Sequence, residues 1–272
     1  MRTLTFLFTC CLGLAAAPSL SHEFWIAPEQ YQVDARAVIR ADLRVGQDFT
    51  GSTMIFNPDE FARFDLIRDG AATPASGRLG DLPALTHAAG APGLVVVVHE
   101  TQDRVVTYKD WEQFRHFVEE KDLGPALESH RQRGLPDAGF GESYRRFAKS
   151  LVAVGDGAGA DRRVGLNIEI VAEANPYTDR LEGGMPLRVF LDGAPRADAQ
   201  LELFERDAEG AVTLTLHRTD AEGRVTVPVT PGAAYLANSA VLRTLDNDAA
   251  DAGPVWHTDW ASLTFAVPDA SP

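Results

Sequence analysis

The chain has 272 residues, with 39 acidic against 25 basic side chains and a formal net charge of −14. A single-sign excess of this size repels phosphate polymers and draws cations toward the surface, so nucleic acid is excluded as a partner. Its two cysteines, Cys10 and Cys11, both fall in the first apolar stretch, which leaves the rest of the chain with no disulfide and no thiolate metal site.

Residues 1–21 read as a secretory signal peptide: Arg2, an apolar run from Leu4 to Ala17, the helix-breaking Pro18, and small Ser19 and Ser21 before the cut. The run is shorter than the ~20 apolar residues a membrane span needs, and no second long apolar run follows. A soluble periplasmic protein is expected. Cleavage after Ser21 would make His22 the first residue with a free α-amine; cleavage after Ala17 would move that amine to Pro18.

From Tyr31 to Gly70, apolar and polar residues alternate in short bursts broken by Asn-Pro and Asp-Gly, the pattern of half-buried strands. "GLVVVVHET" predicts a central strand covered on both faces, with His99 at its end. Trp111, Phe114, Phe117 or Val118 and Leu123 recur at helical spacing until Gly124-Pro125, which predicts one helix, with room for a second. "SYRRFAKSLVAVG" fits helix or strand equally, and "DGAGADRRVG" reads as a surface loop. Beyond residue 177, short alternating stretches with turn signals every eight to twelve residues predict a small sandwich. The expected fold is therefore mainly β, a two-domain β-sandwich-type protein. A β-rich domain over 22–176 carries a helical insertion near 108–133. A small immunoglobulin- or prealbumin-like sandwich follows over 177–272, its last strand free to pack on the amino-terminal region.

A terminal histidine offers a chelating α-amine and imidazole, both able to release a proton near neutral pH. One further imidazole would complete a three-nitrogen site suited to Ni, Co, Cu or Zn. Among the other histidines, "VWHTDWASLTF" singles out His257, two residues from Asp259 on one strand face, with Trp256, Thr258 and Trp260 on the other. Asp259 would serve as a ligand or as the acceptor that orients the ring. The candidate metal set is thus His22, His257, His99 and Asp259. Catalytic patterns are missing: there is no phosphate-cradling loop, no G-x-S-x-G elbow and no H-E-x-x-H. The acidic "LDNDAADAG" lacks the spacing of a calcium loop and is expected to be solvated.

Taken together, "SHEFWIAP" after the leader, "SYRRFAKSLVAVG", "LNIEIVAEANPY", "TDAEGRVTVPVTPG" and the final "WHTDWASLTF" resemble a bacterial periplasmic family of unknown function. Its members are often described as the periplasmic component of nickel or cobalt uptake systems. The resemblance implies a β-rich periplasmic protein that handles a transition metal and works with a membrane metal transporter. Its hallmarks map to His22, Phe24 and Trp25, and to Asp259, Trp260, Ser262, Leu263, Thr264 and Phe265. Three readings follow: a non-enzymatic metal-binding protein; a recognition module for carbohydrate or protein, with Trp25, Trp111, Trp256 and Trp260 as a sugar platform; and a histidine-brace copper enzyme, which has the least support.

Overall fold

The structure is a computed structural model that describes residues 23–269, so the leader read over 1–21 and His22 lie outside the described residues. In chain order the first strands are β1 (Glu23–Pro28), β2 (Gln32–Val33), β3 (Val38–Gln47), β4 (Thr50–Met54), β5 (Phe61–Arg68) and β6 (Ala71–Pro74). Next come β7 (Leu85–Ala88), β8 (Gly93–Thr101), β9 (Arg104–Tyr108), the helices α1 (Trp111–Glu120) and α2 (Ala126–Gln132), β10 (Phe140–Val154) and β11 (Ile168–Ala172). The remainder is β12 (Met185–Leu191), β13 (Ala194–Pro195), β14 (Gln200–Arg206), β15 (Val212–Arg218), β16 (Arg224–Val227), β17 (Ala234–Thr244) and β18 (Pro254–Ala266). The protein is mainly β, as expected, and sandwich-like.

A ten-stranded central sheet runs in the order β15-β14-β17-β18-β10-β8-β5-β6, with β2 and β9 also paired to β10. Its spine is the parallel pair β10 and β18, in register from Glu142 opposite Trp256 to Ser150 opposite Thr264. This pair joins the strands before residue 177 to those after it. Side chains alternate across a strand, so the spine has two different faces. Phe147, Leu151, Ala261, Leu263 and Phe265 face the back sheet of β11, β12, β13 and β16, where they meet Ile170 and Leu187. Ala148 and Val152 face the front sheet of β1, β3, β4 and β7, where they meet Phe24 and Ile26. Further along that second face, Trp256 and Trp260 pack beneath α1 on Phe114 and Phe117.

Because β10 is covered on both sides, its second half is one continuous buried run from Phe147 to Val154. Such a run has no period of two, which is why the sequence fitted helix and strand equally. The helical insertion is two helices. Asp110 caps the first, its side chain accepting a bond from the Gln113 amide at 3.0 Å. Gly124, at φ +66°, makes the left-handed turn between them.

Residues 156–165 form the surface loop the sequence suggests, mostly exposed, but with Asp161 turned inward. Asp161 is 8% exposed, and with Glu169 it clasps the buried Lys149 ammonium at 2.8 and 3.2 Å. The same carboxylates accept the amides of Ala172 (2.9 Å) and Val164 (2.8 Å), so the loop is bonded into the core. The acidic 246–251 segment is likewise tethered: Arg133 donates to the carbonyls of Leu245, Asn247 and Val255 at 3.0, 2.9 and 3.1 Å.

Removing one partner of a buried ionic cluster leaves charge uncompensated. Lys149→Ala is therefore expected to lower unfolding free energy by about 3–5 kcal/mol, read as a reduced urea midpoint at unchanged slope. A loss below about 1 kcal/mol, the range of exposed pairs, would contradict the burial of this cluster.

Candidate functional site

The sequence candidates separate onto the two faces of the central sheet. His257 and Asp259 share the back-sheet face at one end of β18. His257 Nε2 meets Asp259 Oδ1 at 3.1 Å, and its Nδ1 meets Ser143 Oγ, directly across the strand pair, at 2.7 Å. Asp259 is 2% exposed and also lies 3.5 Å from the Arg243 guanidinium. The hydrogen bond that the ring donates to Asp259 is the main reason His257 holds its proton above the ordinary histidine value. Both ring nitrogens are already engaged.

His99 lies on the other face, in line with Val95 and Val97 of β8. It is not at the mouth of the strand, as its position near the end suggests, but fully buried at 1% exposure. Its ring is boxed by Phe24, Phe61 and Phe64 at centroid distances of 5.1, 4.5 and 5.0 Å. Among the described residues, neither ring nitrogen has a hydrogen-bond partner. Burial alone pulls its pKa down to about 3, so the ring is neutral at any physiological pH. A buried polar atom left unbonded is costly, and this imidazole carries two.

On that same face, a group of buried polar side chains escaped the sequence reading. The Lys121 ammonium, just past α1, contacts Glu23 Oε1 at 2.9 Å, Glu202 Oε1 at 2.8 Å and Glu120 Oε1 at 3.0 Å. Asn238 donates to Glu202 Oε2 at 2.6 Å. Burial acts to lower the lysine pKa, but the carboxylates of Glu202, Glu23 and Glu120 outweigh it and hold the ammonium above its usual value. Glu23 is pushed up to about 7, because desolvation exceeds the attraction of Lys121.

Next to this cluster lies a cavity of about 20 Å³, room for one water, lined by Tyr108, Glu142, Tyr144, Arg146 and Trp260. Glu142 accepts the Tyr108 hydroxyl at 2.6 Å, and burial raises its carboxyl to about 7. The Arg146 guanidinium stacks 4.8 Å over Tyr144 and 5.9 Å over Phe24. The available signal for this group was a single charge inside an apolar strand run, Glu202 in "LELF"; Glu202 and Glu23 lie 81 and 98 residues away from Lys121.

Among the described residues, no three His, Cys, Asp or Glu side chains stand together as a metal site. Among the tryptophans, Trp25, Trp256 and Trp260 are buried, and Trp111 is half-buried beneath the Arg131 guanidinium.

Residues 19–241 match the model of a domain of unknown function, DUF4198. The chain belongs to this family. No curated protein resembles it at a significant level. Among solved structures, a tetra-tandem repeat from the extending region of a large adhesion protein is similar at 10% identity and a TM-score of 0.23, over 90% of this chain and 49% of that one. The chain thus spans about half the length of that structure. The D0-D1 domain of intimin is similar at 13% identity and a TM-score of 0.23, over 90% and 97% of the two chains. Likenesses at this TM-score carry no argument about function.

Two titrations test this site. His257 is expected to titrate above ~6.5 by NMR, the ordinary histidine value, and Asp259→Asn should return it to or below that value. For Glu142, a carboxyl whose folded pKa is raised stabilises the fold below its unfolded pKa, and that contribution is lost as pH climbs through about 7. Unfolding free energy should therefore fall between pH 5 and 8, and Glu142→Gln should flatten that slope. An unchanged slope in the variant would assign the dependence elsewhere.

Proposed function

We propose that the protein is a periplasmic transition-metal-binding protein, accessory to nickel or cobalt uptake, that captures its cargo through His22. The donor set is nitrogen-rich: the free α-amine and imidazole of His22, with His99 as the second imidazole. Copper or zinc would suit the same donors. The chain acts by binding and handing on, with no chemical turnover, and a membrane metal transporter is the partner this reading calls for.

The observation that carries this reading is His99. A ligating imidazole must be neutral and must have a nitrogen free for the metal, and His99 meets both requirements. Phe24, two residues after His22 in the sequence, packs against its ring. Burial of Glu23 and Phe24 fixes the stretch of chain that follows the terminal histidine. Glu23, Glu202 and Glu142 set carboxyl groups on the same face, and the net charge of −14 favours cations over anions at the surface. His257 and Asp259 do not enter this donor set, because they face the opposite layer and occupy each other. The sugar-platform reading is disfavoured by the burial of three of the four tryptophans.

The test is native mass spectrometry of the protein exported with its own leader, loaded in turn with Ni, Co, Cu and Zn. The expected mass begins at His22 and carries one metal. His22→Ala should abolish the adduct. His99→Phe, which preserves the aromatic box, should weaken binding at least about tenfold, the scale of losing a supporting metal interaction. A mature chain starting elsewhere, or one that stays metal-free with all four ions, would overturn the reading.

A further inference from the structure

Sheet edges are where strands recruit other strands, because alternate backbone N–H and C=O groups point outward unpaired. Most edges here are blunted. At one end of the central sheet, β6 has four residues and finishes at Pro74. In the back sheet, β13 has two residues and all of β11 is buried. In the front sheet, β4 contains Gly51, which weakens its pairing.

The other end of the central sheet differs. β15, "VTLTLHR", is seven residues long, has no proline, glycine or acidic side chain, and among the described residues pairs only with β14. Thr213, Leu214, Thr215, Leu216 and Arg218 are exposed. Leu214 and Leu216, at 43% and 59% exposure, are two of the larger exposed apolar side chains among the described residues. Both lie on the same face as Glu202 and Phe204 of β14, while Thr213, Thr215 and His217 take the other.

We infer that β15 pairs antiparallel with β15 of a second copy, about a two-fold axis through Thr215. The argument for a second copy is the strand's match to itself in that register. Leu214 falls opposite the partner's Leu216 and Leu216 opposite the partner's Leu214, which makes a four-leucine cluster on one face. Thr213 falls opposite the partner's His217, and Val212 opposite the aliphatic stem of the partner's Arg218. Leucine thus meets leucine and the threonines meet threonine or histidine, with only Val212 set against the stem of a charged side chain. Charge points the same way: two chains of net charge −14 can approach along a strand that bears no carboxylate. Arg218 of each copy arrives beside the partner's 207–211 turn, which carries Asp207 and Glu209. A two-fold contact closes on itself, so the edge is used up and no fibre grows. The paired central sheet would then have twenty strands. This inference stands apart from the metal reading.

The exported protein is tested by sedimentation over a concentration series. A single strand pair with a small leucine cluster sits at the low end of stable interfaces, so a monomer–dimer equilibrium with a Kd on the order of 10 µM is expected. Leu214→Lys with Leu216→Lys should raise that Kd at least about tenfold while leaving the melting temperature within a few degrees, since both positions are exposed. Register is tested separately by oxidation. Across the axis, Thr215→Cys places two Cα atoms about 4.5–5.5 Å apart, within disulfide range. Thr213→Cys would hold its pair about 14 Å apart, beyond that range. A disulfide dimer that forms with Thr215→Cys but not with Thr213→Cys or the parent chain supports the axis. A monomer at all concentrations, a dimer indifferent to the lysine pair, or equal cross-linking of the two cysteine variants would overturn it. So would a monomer that instead binds an extended peptide along β15.

Discussion

The parallel pairing of β10 with β18 is the constraint on which the rest of the molecule depends. The two strands exchange hydrogen bonds over the stretch from Glu142 to Ser150 and from Trp256 to Thr264, more than 100 residues apart in the chain. Every other layer is referred to this seam. The back sheet packs on one of its faces, and the front sheet and the helices on the other. Thr264 reinforces the stack from within, bonding Ser150 Oγ across the seam at 2.8 Å and the Ile26 carbonyl of the front sheet at 2.7 Å. A parallel pair covered on both sides needs water kept from both faces. The three layers are therefore energetically dependent on one another.

The second theme is the placement of buried charge. Two lysines, Lys149 and Lys121, sit on opposite faces of the central sheet, each surrounded by carboxylates. Lys149 ties an irregular connection to β11, and Lys121 ties the helical insertion to β1 and β14. Ionic groups of this kind contribute little net stability compared with apolar side chains of the same shape, but they tolerate few alternative partners. Their effect is to select one arrangement of loop and sheet. His99 breaks this pattern: its aromatic box satisfies neither ring nitrogen. Among the described residues, the Trp25 indole N–H and the Thr258 and Ser262 hydroxyls are unbonded too, but His99 alone among them offers two ring nitrogens with the lone-pair chemistry of a ligand.

Some of this was legible in the residues. The four valines of β8, the helical spacing of Trp111, Phe114 and Phe117, and the stop at Gly124-Pro125 all correspond to elements in the structure. The i, i+2 spacing of His257 and Asp259 put both on one face, because alternation is a local property of a strand. The 156–165 loop is mostly exposed, as its Gly, Asp and Arg content suggests, but the burial of Asp161 within it was not legible. That burial depends on Lys149 and Glu169, which are themselves placed by the seam. The end position of His99 in its strand did mislead, since the box around it comes from Phe24 and Phe61 on separate strands.

By itself, the sequence determined what local chemistry can determine: the β-rich class, the helical insertion, the lack of thiol chemistry in the body of the chain, and the residue types able to hold a transition metal. These follow from period, turn residues and side-chain inventory, each read within a few positions. Only the tertiary structure decided which of those residues share a space. It placed His99 beside Phe24, sent His257 and Asp259 to the opposite layer, and gathered Glu23, Lys121 and Glu202 from three distant segments. The reason is physical. Strand pairing and face assignment across 100 residues are set by the joint burial of many side chains, and no short stretch of sequence contains that sum.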